Sequence, residues 1–219
     1  MKPQEELSVG ICSASAISFN LLKPCTFDGR TYSGPQKAEY SDGRISFDGG
    51  LYDTLTFSCG NPCDDFSDAV FALADVTIGV EFHWERKETQ RFAGSLRFIV
   101  EEGRITAVNL IGIEDYLRSV ISSEMKSSAP AEFLKAHAVI SRSWILAQIR
   151  KKEKSLPRPA PQEEGGRLIR WWDREDHLNF DVCADDHCQR YQGLTMAVGE
   201  NVRKAIDETW GQVLKYGGE

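Results

Sequence analysis

Alternation of apolar and polar residues dominates the first half of this chain and predicts β-strands over residues 7–109. The stretch "VTIGVEFHW" places one set of apolar side chains on a single face of a strand: Val76, Ile78, Val80, Phe82 and Trp84. "SLRFIVEEGRITAVN" contains two apolar runs that a Glu-Gly turn joins, and Asp-Gly pairs stand at 28–29, 42–43 and 48–49. Because Asp-Gly favours tight hairpin turns, we expect these strands to form a largely antiparallel meander.

A helical period replaces the alternation over residues 110–149, where the pattern predicts two buried helices. In "NLIGIEDYLRSVISSEM" one apolar stripe is made of Ile113, Leu117, Val120 and Ile121. A second helix is expected after "SSAP", because Pro130 fits the first turn of a helix and Glu132 follows closely behind it. We expect the second helix to cross the end of the first and to pack one apolar face on the same core, with Phe133, Ile140 and Trp144.

The rest of the chain is less regular. Residues 150–166, "RKKEKSLPRPAPQEEGG", are charged and rich in proline, which is typical of an exposed loop or insertion. Residues 167–219 contain a Cys/His cluster and a helical stretch near "ENVRKAIDETW". The pattern as a whole predicts an α+β fold in which a mostly antiparallel β region over 7–109 precedes a buried helix pair over 110–149 and a loop region of the same domain.

Composition narrows the class of protein. The 219 residues are 41% hydrophobic and 27% charged, as in an ordinary globular protein. The formal charge of −7 argues against a nucleic-acid partner, because such proteins bind phosphates through Lys and Arg. No stretch of 18 residues is apolar, so no transmembrane segment is expected, and "MKPQEELSVGICSAS" shows no apolar core of a signal peptide. Six cysteines leave free thiols, a metal site and one or two disulfides open.

Glu124 interrupts the apolar stripe of the first helix. It stands three residues after Ile121 and four after Val120, where the helical period predicts an apolar residue. A carboxyl group in such a position is partly desolvated, which favours its protonated form and prepares it to donate a proton. The alternative is that the helix frays at its last turn and Glu124 turns to solvent.

The second helix carries three further polar residues of interest. His137 lies among apolar neighbours and is typical of a core histidine with one satisfied nitrogen. Lys135 and Arg142 are seven residues apart on the remaining side, where we expect a solvated edge.

The stretch "HLNFDVCADDHC" suggests a metal site. His177, Cys183 and Cys188 stand close together in the sequence, and His187 immediately precedes the last cysteine. Thiolate and imidazole together suit zinc, and short spacings let one loop supply several ligands. Cys59 and Cys63 in "CGNPC" form a weaker pair, which we interpret as a turn with incidental thiols.

Two consecutive motifs resemble the signature of the SpoIID/LytB domain family, whose members include the sporulation stage II protein D and the enhancer of a cell-wall amidase. "VNLIGIEDYLRSVISSEM" followed by "EFLKAHAVISRSW" matches the family pattern at Asn109, Glu114, Tyr116, Leu117, Val120, Glu124, Met125, Lys135, Ala136, Ala138, Val139 and Arg142. His137, Ser141, Ser143 and Trp144 replace the usual Gln, Ala, Thr and Tyr. "LSVGI", "HCQRYQG" and "AIDETWGQVLKYGG" extend the resemblance over most of the chain.

The resemblance implies a lytic transglycosylase that acts on peptidoglycan glycan strands. Glu124 matches the family's single catalytic glutamate, which protonates the glycosidic oxygen and then, as carboxylate, draws a proton from the C6 hydroxyl of the sugar. No second carboxylate is needed, unlike the scheme of most glycosidases. We further predict that Lys135, Arg142 and Tyr191 contact the substrate, with plain solvent exposure as the alternative for Lys135 and Arg142, and that Glu124 faces a groove floored by the strands before Asn109. Some members of the family carry a His/Cys zinc site in the stretch that holds His177, Cys183 and Cys188, which implies a structural zinc ion.

Two other functions stay open at this level. The chain could be a non-catalytic module that binds peptidoglycan and stimulates a cell-wall amidase, or a zinc-dependent amide hydrolase with Glu124 as base. Family members usually continue beyond "VLKYGG", so the resemblance implies truncation at the C-terminus. The substrate implies a location in the cell envelope, outside the cytoplasm.

Overall fold

The computed structural model confirms the α+β class, with strands in the first half of the chain and helices after them. It describes residues 5–59, 69–79, 83, 85–126, 128–154, 162–164, 166–169, 177–195 and 199–217; for 152–154, 162–164 and 167–169 only the backbone is described. Two sheets and three helices make up most of this part of the chain.

The first sheet has five strands in the spatial order β13, β1, β10, β9 and β6. Their bounds are Glu6–Ala14 for β1, Thr54–Phe57 for β6, Ser95–Glu101 for β9, Arg104–Gly112 for β10 and Val182–Cys183 for β13. All neighbours are antiparallel except β13, which pairs with β1 in parallel, with Val182 opposite Val9. The short strand β13 therefore attaches the Cys/His region to the edge of this sheet.

The second sheet has six antiparallel strands in the order β5, β4, β3, β2, β7 and β8. Their bounds are Ala16–Phe27 for β2, Arg30–Ser41 for β3, Arg44–Phe47 for β4, Gly50–Tyr52 for β5, Phe71–Ile78 for β7 and Arg86–Phe92 for β8. The predicted strand over "VTIGVEFHW" therefore ends at Ile78, and Val80, Phe82 and Trp84 lie outside the described residues.

Two-residue turns connect the hairpins as the sequence predicts. Asp28, Asp42 and Asp48 have φ between 47° and 49°, and the glycine after each also has positive φ. Glu102 and Gly103 adopt the same conformation between β9 and β10. Positive φ at both central residues defines the turn that matches the twist of a hairpin, which is why Asp-Gly is favoured there.

Aromatic side chains fill the space between the two sheets. Phe19 contacts both Phe57 and Phe98, with ring centroids 5.3 and 5.0 Å apart, so a strand of each sheet contributes to one core. A disulfide joins Cys25, in β2, to Cys59, which follows β6. The interpretation of Cys59 as an incidental thiol is therefore wrong, and Cys63 lies outside the described residues.

Three helices follow the strands: α1 over Ile113–Glu124, α2 over Ala131–Lys154 and α3 over Glu200–Glu208. The predicted break before Pro130 is present, but residues 110–112 belong to β10 and α2 continues five residues beyond 149. Gln162–Glu164 and Arg167–Ile169 pair as a short hairpin, β11 and β12, within and beside the segment predicted as a loop. Within the described part of the chain, no helix is long and apolar enough to cross a membrane.

Helix α2 packs on the core mainly through one of its two apolar stripes. Leu134, Ala138 and Ile145 are fully buried, whereas Phe133 and Ile140 are 48% and 55% exposed. The prediction of a core-facing side is therefore wrong for Phe133 and Ile140, whereas Trp144 is half-buried and packs against the core. A helix on the surface of a domain turns only one side towards the core. In α2 the stripe with Leu134 occupies that side.

Candidate active site and metal centre

The C-terminal end of α1 carries Glu124, for which the sequence leaves two readings. The stripe before it is buried as predicted: Ile113, Leu117, Val120 and Ile121. Glu124 is the last residue of the helix; its side chain is 26% exposed, and with its backbone included the residue is exposed because it ends the helix. The helix therefore persists to Glu124, and the carboxyl group is partly covered by its neighbours.

Two neighbouring elements contact the carboxyl group of Glu124. Its Oε2 atom lies 3.0 Å from Nε2 of His137, which α2 presents. Its Oε1 atom accepts a hydrogen bond of 3.1 Å from the backbone N–H of Arg190. Glu124 thus lies where α1, α2 and the loop with Arg190 meet, as the expected crossing of the two helices requires.

His137 belongs to this junction. Its side chain is 13% exposed, and its Nδ1 atom is buried without a hydrogen-bond partner in the part of the chain that the structure describes. The sequence predicts a core histidine with one satisfied nitrogen; one nitrogen does have a partner, but the side chain is half-buried and lies outside the core. The partner of the satisfied nitrogen, Nε2, is the candidate acid Glu124, thirteen residues earlier in the chain.

A Cys/His cluster occupies the loop that leads to Arg190. One donor atom from each of His177, Cys183, His187 and Cys188 lies within 4.8 Å of all the others. The two Sγ atoms are 3.3 Å apart, and Sγ of Cys188 lies 3.4 Å from Nε2 of His177 and 3.5 Å from Nδ1 of His187. Donors around a tetrahedral zinc ion are about 3.3–3.8 Å apart, given Zn–N near 2.1 Å and Zn–S near 2.3 Å. The spacing and the chemistry of the donors both fit such an ion.

The structure brings together the three predicted metal ligands and adds His187 as a fourth donor. The signal in the sequence is its position next to Cys188, since adjacent loop residues can turn to a common centre. The pKa of Cys183 is lowered to about 3, chiefly because the thiol of Cys188 is within hydrogen-bond distance of its sulfur. The lowered pKa favours the thiolate form of Cys183, which is the form that binds a metal ion.

Tyr191 anchors the same loop to the rest of the domain. Its hydroxyl donates a hydrogen bond of 2.6 Å to Oδ1 of Asn109 in β10. Its ring stacks on Tyr116 of α1, with centroids 5.0 Å apart. Because Tyr191 directly follows Arg190, these contacts also fix the backbone N–H of Arg190, which donates a hydrogen bond to Glu124.

Arg142 is buried, so the prediction of a solvated edge is wrong at this position. Its side chain is 1% exposed and pairs with both carboxylate oxygens of Glu114, at 2.6 and 2.8 Å. It also donates a hydrogen bond of 3.0 Å to the carbonyl oxygen of Gln212. A planar guanidinium can be buried here because α1 supplies a carboxylate of matching geometry. Arg142 and the equally buried Tyr191 therefore form part of the scaffold in this structure.

Lys135 lies at the edge between α2 and α3. Its Nζ atom is 2.8 Å from a carboxylate oxygen of Glu132 and 2.7 Å from one of Glu208. The side chain is 27% exposed, so a contact of Lys135 with a substrate stays a prediction.

A cavity of about 940 Å³ lies against the first sheet. Residues 10–13 of β1, the hairpin of β9 and β10, and residues 177–180 line it, with Cys183 at one side. Glu124 is not among its lining residues. The strands before Asn109 thus do floor an open space, but this space borders the Cys/His cluster rather than the candidate acid.

The chain is similar to a known protein family and to a protein of another organism. The model of the family "Stage II sporulation protein", SpoIID, matches residues 101–216, which is more than half of the chain. An uncharacterised protein of Brachyspira hyodysenteriae is 30% identical over 128 residues. That alignment covers 58% of this chain and 28% of the relative, so the chain spans well under half of the relative's length. No solved structure matches.

The matched region contains both features described above. Residues 101–216 include α1 with Glu124, α2 with His137 and the loop with the Cys/His cluster. A match to this family supports a role related to the bacterial cell wall.

Proposed function

Because this chain belongs to the SpoIID family, we propose that it is a lytic transglycosylase that cleaves the bond between N-acetylmuramic acid and N-acetylglucosamine in peptidoglycan. Glu124 is the acid and then the base of this reaction. Its protonated carboxyl group donates a proton to the glycosidic oxygen as the bond from that oxygen to C1 breaks. The resulting carboxylate takes the proton of the C6 hydroxyl, whose oxygen closes onto C1 as a 1,6-anhydro ring.

The position of Glu124 is the observation that supports this proposal. One side of the carboxyl group is held by His137 and by the N–H of Arg190, and 26% of the side chain is open. A general acid needs both properties, because its geometry must be fixed while its proton must reach the substrate. A single carboxyl group is sufficient here because the attacking oxygen belongs to the substrate.

We also propose that His177, Cys183, His187 and Cys188 hold one zinc ion. Four protein donors leave no open coordination position, which is typical of structural zinc sites. When bound, the ion ties β13 and the following loop into one unit. The loop residue Arg190 then presents its N–H to Glu124 from a fixed position.

We place the domain outside the cytoplasm, at the cell envelope. The family is associated with the cell wall, and peptidoglycan lies outside the cytoplasm. The disulfide between Cys25 and Cys59 supports this location, because disulfides persist in oxidising compartments and are rare in the cytosol.

Replacement of Glu124 tests the proposal. Glu124→Gln keeps the shape of the side chain but has no proton to donate, so cleavage of peptidoglycan should fall by roughly 10²–10⁴-fold while the fold is kept. The measurement is mass spectrometry of digested glycan, in which the parent protein should release 1,6-anhydro ends. Ile140→Ala, at an exposed position of α2, is the matched control.

Other products would contradict the proposal in distinct ways. Reducing ends would indicate a hydrolase. Intact glycan together with a faster cell-wall amidase would support the binding module instead. Cleavage by Glu124→Gln within a few-fold of the parent rules out Glu124 as the acid.

A further inference from the structure

A small pocket of about 70 Å³ lies beside Arg190, between β1, β7, β8 and the loop of residues 183–192. We propose that this pocket binds the acetamido group of an N-acetylhexosamine, and that Gln90 in its wall selects 2-acetamido sugars over sugars with a hydroxyl at C2. This inference rests on the proposed function, because it assigns a group of the substrate to the site that contains Glu124.

The size of the pocket suits a side group of a sugar rather than a whole ring. A water-sized group needs roughly 10–15 Å³ of such space, so about five of them fit here. An acetamido group, with its nitrogen, carbonyl and methyl group, is comparable in size. The pocket shares Gly10, Ile11 and Cys183 with the cavity of about 940 Å³ on the first sheet, so the two spaces adjoin. The larger space has room for sugar rings of the same strand, because small ligands occupy sites of about 300–1,000 Å³.

Gln90 brings an unpaired acceptor to the wall of this pocket. The residue is 2% exposed, and its Oε1 atom has no hydrogen-bond partner among the residues that the structure describes. A buried acceptor without a partner costs free energy, and the N–H of an acetamido group can supply the missing donor. The glutamine amide also carries N–H groups for the acetamido carbonyl, so the two amides can pair in either orientation. The last torsion of a glutamine is soft, which lets the amide turn towards the pocket while β8 stays in place.

Apolar side chains of two strands form another part of the wall. Strand β1 contributes Ile11, and β7 contributes Val76 and Ile78, which are both buried. These side chains suit the methyl group of the acetamide, which is stabilised when it leaves water. The charged residues of the lining, Asp185 and Arg190, have opposite signs and are partly exposed. Because a free amine or a carboxylate would lose its hydration against the apolar part of the wall, the lining favours a neutral amide.

Arg190 connects the pocket with the candidate acid. The residue lines the pocket, and its backbone N–H donates a hydrogen bond of 3.1 Å to Oε1 of Glu124. In an N-acetylhexosamine the acetamido group is attached to C2, directly beside the carbon C1 at which the glycosidic bond breaks. An acetamido group held in the pocket therefore keeps C1 near Arg190, where the carboxyl group of Glu124 lies. Gln90 determines specificity in this arrangement, and Glu124 remains the acid.

Binding of two oligosaccharides tests the pocket. The probes are oligomers of equal length, one of β-1,4-linked N-acetylglucosamine and one of β-1,4-linked glucose; both are neutral and they differ only at C2. The zinc-loaded protein carries Glu124→Gln, so that neither probe is cleaved, and titration calorimetry gives the two Kd values. We expect the N-acetylglucosamine oligomer to bind roughly 10–100-fold more tightly, through one hydrogen bond and one buried methyl group.

The further substitution Gln90→Leu keeps the apolar wall but removes the amide. It should lower the ratio of the two Kd values by roughly 3–10-fold, which is the usual effect of one hydrogen bond. Gln36→Leu is the matched control, because Gln36 lies on β3 and does not line the pocket. This control should keep the ratio.

A second measurement uses the unchanged Gln90 and therefore does not depend on the folding of a Gln90 variant. The NMR signals of its side-chain amide should shift much further with the N-acetylglucosamine oligomer than with the glucose oligomer. Equal affinity for the two oligomers, or binding of neither, overturns the proposal. An unchanged ratio in Gln90→Leu also overturns it, as do amide signals that neither oligomer moves, which would assign Oε1 to an ordered water only. Cleavage of peptidoglycan by Glu124→Gln, together with a preference that depends on Gln90, refutes the proposed mechanism and leaves the pocket intact.

Discussion

Arg142→Met is the substitution whose effect follows most directly from the structure. Methionine has a similar length but no charge, so it fills the space and leaves the carboxylate of Glu114 without its charged partner, while the backbone N–H of Gly211 still donates to Oε1. Glu114 is itself 4% exposed, and water cannot replace the lost contacts. The same change removes the hydrogen bond to the carbonyl oxygen of Gln212, which holds the segment after α3 against α2.

The expected magnitude is about 3–5 kcal/mol of the free energy of unfolding, because this is the usual cost of leaving one buried charge unpaired. For a protein of this size, that corresponds to a fall in Tm on the order of 10 °C. Lys135→Met is the matched control on the same helix. Its ion pairs with Glu132 and Glu208 are solvent-exposed, so it should cost no more than about 1 kcal/mol.

Chemical denaturation of the purified variants measures these differences. The double variant Glu114→Leu/Arg142→Met should be more stable than Arg142→Met alone, because no charge is then left buried. A loss below about 1 kcal/mol in Arg142→Met contradicts the buried ion pair. In that case the prediction that Arg142 contacts the substrate is tested next. Weaker binding of glycan by folded Arg142→Met would support that contact.

Two further predictions concern the cysteines. Purified protein should contain close to one equivalent of zinc, and Cys183→Ser should lose both the zinc and stability. In metal-free protein, Cys183 should react with iodoacetamide at pH 6 because its pKa is about 3. Added zinc should protect it from this reaction. Metal-free protein with an unchanged Tm and no protection by zinc would dispose of the site. The double variant Cys25→Ala/Cys59→Ala removes a disulfide between residues with a sequence separation of 34. Its free energy of unfolding, measured by denaturant titration under non-reducing conditions, should be lower by roughly 4 kcal/mol. A variant as stable as the parent contradicts the disulfide.

Local chemistry in the sequence determined the strands, their turns and the existence of the helices. Asp-Gly turns form where they were expected because the conformation they require depends only on the two residues themselves. The stripe from Ile113 to Ile121 is buried because a helix with one apolar side has a single way to face a core. Glu124 could be singled out by the same reasoning, as an exception to the period.

The partners of buried polar groups were decided by the tertiary structure. A lysine and an arginine seven residues apart look alike in a helical pattern, yet one lies at a surface edge and the other is buried. Arg142 is buried because Glu114, 28 residues earlier, arrives from α1 to neutralise it. A charge can leave water only when such a partner is present, and no local pattern contains that information.

The candidate site depends on the same kind of long-range contact. The sequence brings His177, Cys183 and Cys188 close together because one loop carries them, so local spacing was enough to predict a cluster. The contact of Glu124 with His137 needs the crossing angle of two helices, and its contact with Arg190 joins positions 66 residues apart. Periodicity identifies which side of an element is apolar, whereas only packing decides which of several sides is covered and which polar groups then meet.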